Sequence, residues 1–478
     1  MAIVAAFAVP HPPLIIPGVG GNQRGQISGT VRAYEEVARR IAALEPDTVV
    51  ISSPHAAMYL DYLHISPGAC ARGDFSRFGA PGARYEVTYD QDFVRGLCRA
   101  AEAAGLPAGT RGERDPGLDH GTMVPLHFIQ KECHDIKVVR MGLSGLSPLA
   151  HYRMGELVAG VADELGRRTV YVASGDLSHK LKETGPYGYA KEGSKFDGLA
   201  CDAFSTGDFL KLLEAEPGFC ERAAECGLRS FQIMAGALDR TPVDSELLSY
   251  EGPFGVGYGV AAFSVTGPRG AAPARDFGAQ YETWHKREMA ERRAAESPWV
   301  RLARAALEGC VRTGGPVDAA RALEALRAGG GDAAAWDEIA GTRAGCFVSL
   351  KVDGQLRGCM GTIEPTRASL AEEICANAVS AGFRDPRFDP VEADELPELV
   401  YDVDVLGAPE GVPDAGALDP ARYGVIVSAP DGRRGLLLPD LDGIDTVEGQ
   451  LRIAARKGGI DLERDNVRLE RFEVVRHL

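Results

Sequence analysis

The chain lacks any apolar run near the ~20 residues that a bilayer span requires. It lacks a CxxC pair, and its ten cysteines are scattered. Basic residues are in deficit, 52 Lys and Arg against 68 Asp and Glu, for a formal net charge of −16. Clustered Lys and Arg are what phosphate affinity needs, and no basic patch is longer than a pair such as Arg292-Arg293, so nucleic acid and anionic membrane are excluded as expected partners. Scattered thiols without dense spacing fit a reducing compartment. The N-terminal MAIVAAFAVPHPPLIIPG is apolar but has no basic n-region, so it is not read as a secretory signal and the expected location is the cytoplasm. Hydrophobic content of 45% and charged content of 25% are those of an ordinary globular protein. A length of 478 residues exceeds what one core usually organises, so two domains are expected.

The first half alternates strand and helix signals. The continuous apolar run at residues 2–9 reads as a buried strand, 47–52, 136–143 and 168–174 read as further strands, and residues 30–44 and 148–165 carry helical periodicity. A strand at 256–265 closes this part. Strands separated by helices of this length form βαβ units on a mostly parallel sheet. Residues 267–274 are then rich in Gly, Pro and Ala, and 280–296 form a charged helical connector. The expected organisation is an α/β domain over 1–267, a linker over 268–296 and an α+β domain over 297–478. Ser297-Pro298 reads as an N-cap with Pro at the first helical position.

Eight of the ten histidines lie in the first domain. His11 follows the first strand (AVPHPP), His55 the second (VVISSPHA) and His179 the strand YVAS (SGDLSH). His120, in LDHGTMVPLHF, sits where a loop enters a helix. In a parallel sheet all strand C-termini lie on one edge, where ligands collect, so residues far apart in sequence meet there. Imidazoles suit iron, zinc or copper, and a carboxylate completes a 2-His-1-carboxylate face with open positions. Asp176 either orients an imidazole or caps a following helix. His64, His127, His134 and His151 are read as structural.

The four motifs VPHPP, SSPH, LDHG and SGDLSH, in this order, resemble the LigB-type catalytic subunit of class III extradiol dioxygenases, and also the Memo family of the same fold. The resemblance implies ferrous iron, with zinc or copper as alternatives, held by His11, His55 and a late glutamate. Glu251 in LSYEGPFGVGYGV is the expected third ligand and Glu246 its rival. Memo proteins use a cysteine in this late region; no cysteine lies between 227 and 309, which favours the carboxylate. His120 and His179 are then the acid and base for a chelating aromatic substrate, since neutral histidine titrates nearest pH 7. The implied function is a nonhaem Fe(II) oxidoreductase. Memo-like metal redox chemistry, hydrolysis by a metal-activated water and a metal-binding adaptor are the alternatives.

In the second half, LRGCMGTIEP (356–365) and SAGFRDPRFDPVEADELPEL (380–399) resemble the AMMECR domain family. LigB-like followed by AMMECR-like is the order of the AmmeMemoRadiSam system, which implies a radical S-adenosylmethionine protein as a partner; a homo-oligomer is also compatible. Cys359, beside Arg357 and between glycines, reads either as a thiol of lowered pKa or as a small residue packed on the sheet, and FRDPRF as a surface ion-pair set.

Overall fold

A computed structural model describes residues 2–115, 117–441 and 443–478. The chain folds as two compact units, the first ending at Lys286 and the second starting at Arg287. The N-terminal unit has strands β1 (Ile3–Val9), β2 (Thr48–Ser52), β3 (Leu63–His64), β4 (Cys70–Phe75), β5 (Ala80–Tyr89), β6 (Ala108–Gly109), β7 (Lys137–Met141), β8 (Thr169–Ser174), β9 (Val243–Glu251) and β10 (Tyr258–Val265). Eight of them form one sheet in the order β4-β5-β7-β2-β8-β1-β10-β9, while β3 and β6 pair separately. The β5-β7-β2-β8-β1 stretch is parallel and the margins are antiparallel.

Apolar side chains on both faces explain this placement. All seven residues of β1 and all six of β8 are buried, as a parallel strand covered on two sides requires. Helices Gln91–Ala103, Pro148–Leu165 and Leu228–Ala237 pack on one another over one face, and Ser28–Ala43 with His120–Glu132 over the other. Register then positions the site. Val9 lies opposite Ser174, and Ser52 opposite both Ala173 and Met141, so the segments after β1, β2 and β8 leave the sheet side by side.

The segment read as a linker is partly core. Helix Phe277–Ala295 buries Phe277 and Tyr281 in the N-terminal core, and Trp284 packs against it. Its apolar residues at a spacing of three to four lie among charges, which masks them in composition.

The second unit carries β11 (Cys346–Val352), β12 (Gln355–Gly361), β13 (Val400–Leu406), β14 (Glu410–Val412), β15 (Tyr423–Ser428), β16 (Arg434–Leu437) and β17 (Arg468–His477) in an antiparallel sheet. Helices Pro298–Thr313 and Leu370–Phe383 cover one face, the first capped by Ser297, whose hydroxyl accepts from Val300 N–H. A Cβ on Gly358 would stand 2.3 Å from the Ala381 carbonyl oxygen, so this glycine lets strand and helix approach. Cys359 accepts a hydrogen bond from the Ser349 hydroxyl (3.2 Å), and burial raises its pKa. Arg357 is held by Glu395 through two hydrogen bonds, and Arg387 by Asp385. Burial outweighs the lowering by Ser349 and Arg387, so the thiol does not have the lowered pKa of an activated cysteine. Among the described residues no helix is long and apolar enough to cross a membrane.

Candidate metal centre

His11 leaves β1 directly, and its backbone is pinned twice. Its N–H donates to Asp176 Oδ1 (2.7 Å), and the Pro10 carbonyl accepts from the Tyr34 hydroxyl. The ring is oriented by Ser174, the last residue of β8. Ser174 commits its only hydroxyl proton to the Gly121 carbonyl (2.6 Å), so at its 3.0 Å contact with His11 Nδ1 it must accept. Nδ1 therefore carries the proton and Nε2 presents a bare lone pair. This is the arrangement by which an outer hydrogen bond fixes a metal-binding imidazole.

Around that lone pair two donor groups meet. His11, His55 and His120 have ligand atoms within 4.8 Å of one another, and so do His11, Asp176 and Cys226. His55 Nε2 is 3.0 Å from His11 Nε2, and the His55 and His120 ring centroids are 3.9 Å apart. On the other side Cys226 Sγ is 3.7 Å, and Asp176 Oδ2 3.9 Å, from His11 Nε2. His179 Nδ1 donates to the Ala224 carbonyl (2.6 Å), which leaves its Nε2 bare, 3.9 Å from Asp176 Oδ2. Asp176 thus pins the His11 backbone and faces both rings through Oδ2; the next helix begins only at Lys191, too far along the chain for it to cap.

The supporting loops are tightly fitted. Asp119 caps the helix His120–Glu132 through Thr122 N–H, accepts from the Ser53 hydroxyl (2.6 Å) and is paired with Arg140 (2.8 Å). A Cβ on Gly121 would lie 2.4 Å from Ser53 Oγ and 3.4 Å from His55 Cδ2, so only glycine lets the helix start press against the His55 loop.

Electrostatics match a cation-binding site. Burial, then the neighbouring His55, holds His11 well below its ordinary pKa; burial lowers His55; and burial with His55 and His11 pushes His120 down to about 3. The imidazoles are neutral, the form that binds metal. Burial raises Asp176 to about 6 and Cys226 well above its ordinary value; the thiol, neutral as it stands, would give up its proton beside a cation. The donor set of imidazole, carboxylate and thiol fits a first-row transition metal.

Of the expected site residues, the fold brings together His11, His55, His120 and, through Asp176, His179. Glu251 lies elsewhere. Its carboxylate accepts from Thr30 N–H (2.7 Å), Gly29 N–H (3.2 Å) and the Thr30 hydroxyl (2.6 Å). Helix Ser28–Ala43 has no capping side chain of its own, so this strand-end glutamate satisfies its first N–H groups and complements its dipole. Glu246 pairs with Arg40 on the surface. The sequence reading missed Cys226, which lies one residue before the 227–309 interval. The turn-rich ECG just ahead of helix Leu228–Ala237 was the available signal.

The site opens on a cavity of about 850 Å³ lined by His55 and His120. Two family models match the chain: "Catalytic LigB subunit of aromatic ring-opening dioxygenase" over residues 5–261 and "AMMECR1" over 300–477. A protein of Clostridium acetobutylicum is 37% identical over 485 residues, covering 100% of this chain and 99% of its own. A Thermotoga maritima protein is 47% identical over 183 residues, 38% of this chain and 98% of its own. The 2-aminophenol 1,6-dioxygenase beta subunit of a Pseudomonas species is 26% identical over 298 residues, 55% of this chain and 94% of its own. With the LigB match covering more than half of its residues, the chain belongs to the family of the catalytic LigB subunit of aromatic ring-opening dioxygenases, joined here to an AMMECR1 domain.

Proposed function

We propose that the N-terminal unit is a metal-dependent oxidoreductase of the extradiol type, acting on a small catechol- or aminophenol-like molecule. The observation that carries this reading is the fixed Nε2 lone pair of His11, meeting His55 and His120 beside an open cavity. Membership of the LigB family and the likeness to an aminophenol dioxygenase subunit support it. Ferrous iron suits the site. His11 and His55 would hold it, with a third ligand from His120 on the cavity side or from Asp176 or Cys226 on the other. Bound there, iron(II) supplies adjacent open positions for a chelating substrate and O₂.

The remaining roles belong to the chain's own side chains. His179 keeps its Nε2 bare and can take a proton from a substrate hydroxyl, and Asp176 stabilises the imidazolium so formed. His120, neutral and on the cavity wall, orients the ring by hydrogen bonding. The test is anaerobic purification with metal analysis, then addition of a catechol and of O₂. Stoichiometric iron, a spectral change on chelation and a ring-opened yellow product are expected. His179→Ala should keep its metal and lose turnover by ~10²–10⁴-fold. No spectral change with any catechol would end this reading.

A second reading rests on Cys226 Sγ, 3.7 Å from His11 Nε2, which suits Memo-like metal redox chemistry. Metal lost on Cys226→Ser but kept on His120→Ala, without catechol turnover, would select it.

A further inference from the structure

The cavity beside the metal centre has a second wall that the chemistry above does not use. It is built from His64 and Ser66, which flank Ile65. Side chains alternate along extended chain, and Ile65 points fully into the core, so His64 and Ser66 share the opposite side and line the cavity. His64 is 2% exposed. Its Nδ1 donates to the Arg111 carbonyl (3.0 Å), which leaves Nε2 as an acceptor with no partner among the described residues. The Ser66 hydroxyl likewise has none there. Both atoms open on the same cavity wall, where His64 Nε2 can only accept and the Ser66 hydroxyl can accept beside it, so together they suit a ligand group that donates hydrogen bonds. Burial lowers the His64 pKa, which keeps the ring in its accepting, neutral form.

The charges around the same cavity give the sign of that group. Asp119 is cancelled by Arg140 at 2.8 Å. What remains on the lining is Asp74, Glu113 and Asp115 against Arg77 alone, a field that favours a cation and repels a carboxylate. The volume, about 850 Å³, leaves room for a substituent beyond a single chelating ring.

We propose that His64 and Ser66 form a subsite for a protonated amine on the substrate, so that the preferred molecule is a chelating aromatic carrying an ammonium-bearing arm. This rests on the catechol-type reading of the metal centre. The full-length protein loaded with iron(II) under anaerobic conditions is titrated calorimetrically at pH 7 with three catechols that differ only in the arm: dopamine, neutral 4-ethylcatechol and 3,4-dihydroxyphenylacetate.

Dopamine should bind about tenfold tighter than 4-ethylcatechol, at the lower end of what one charge-assisted hydrogen bond supplies, and the carboxylate should bind weakest. His64→Leu should bring the dopamine-to-ethylcatechol ratio close to unity. Because His64 is buried, Ser66→Ala provides the same test if that variant fails to fold. Equal binding of all three catechols, or a preference for the carboxylate, overturns the subsite and leaves the metal reading standing. A ratio unmoved in both variants also overturns it. Binding of none of the three overturns the catechol reading and the subsite together.

Discussion

Ser174 touches neither the cavity nor a substrate, yet it decides which nitrogen of His11 is free. In Ser174→Ala the His11 Nδ1–H loses its acceptor at 3.0 Å and the Gly121 carbonyl loses its donor at 2.6 Å, both in the buried interior. Two consequences follow, and they separate. The metal-free protein should lose ~1–3 kcal/mol of stability, the cost of leaving buried partners unpaired. Metal affinity should fall further, because the imidazole can now tautomerise and turn its protonated nitrogen toward the metal. Loss of such an outer hydrogen bond typically weakens metal binding ~10–100-fold, or ~1.4–2.8 kcal/mol. Destabilisation that is shared by the metal-free and loaded forms cancels from the affinity, so the second effect reads orientation alone. The assay is competition for Zn²⁺ against a chromogenic chelator at pH 7, alongside urea unfolding of the metal-free protein. Ser174→Thr, which keeps a hydroxyl, should recover most of the affinity. A Ser174→Ala protein that binds metal as tightly as the wild type would refute the tautomer argument, even if it unfolds earlier.

Two more expectations concern places where sequence and fold part company. Glu251→Ala should leave metal binding intact and cost ~1–2 kcal/mol in urea unfolding, the usual value of a helix cap; loss of metal instead would return this carboxylate to the ligand set. A fragment of residues 1–267 lacks Phe277 and Tyr281, whose burial contributes ~1.5–3 kcal/mol each, so it should unfold at clearly lower urea than residues 1–295, and equal midpoints would show that this helix adds nothing to the core.

The fold was legible wherever one period dominated. Helix Pro148–Leu165 has the bounds its pattern suggests, because Ser147 starts it and Gly166, at φ 62°, stops it. The strands β1, β2 and β8 were readable as buried, largely apolar segments, since burial on both faces removes the alternation of a half-exposed strand, and β7 keeps the same character around Val138 and Val139. The hairpin β4-β5 was not. Its strands carry Arg72, Asp74, Arg84 and Glu86 at a sheet margin, where solvent accepts charge and composition resembles a loop. Strand β9 was missed for the same reason, being an edge strand with no fully buried residue and with Asp244, Glu246 and Tyr250 exposed.

The site divides along a similar line. His11, His55 and His179 were findable because a parallel sheet delivers strand ends to one edge, a rule that needs only the strands. Cys226 hangs from no strand; it reaches the centre on the turn ahead of helix Leu228–Ala237, and periodicity does not record where such a turn points. Glu251 shows the opposite failure. A carboxylate at a strand end near glycines has the right chemistry for a ligand, but an uncapped helix start offers competing N–H groups, and three hydrogen bonds at 2.6–3.2 Å hold it there. Which of two chemically suitable partners a side chain meets depends on how β9 and helix Ser28–Ala43 pack, an arrangement made between residues more than 200 positions apart. Local patterns thus identified the histidines that the sheet itself presents, and left open the ligands that only the completed packing can supply.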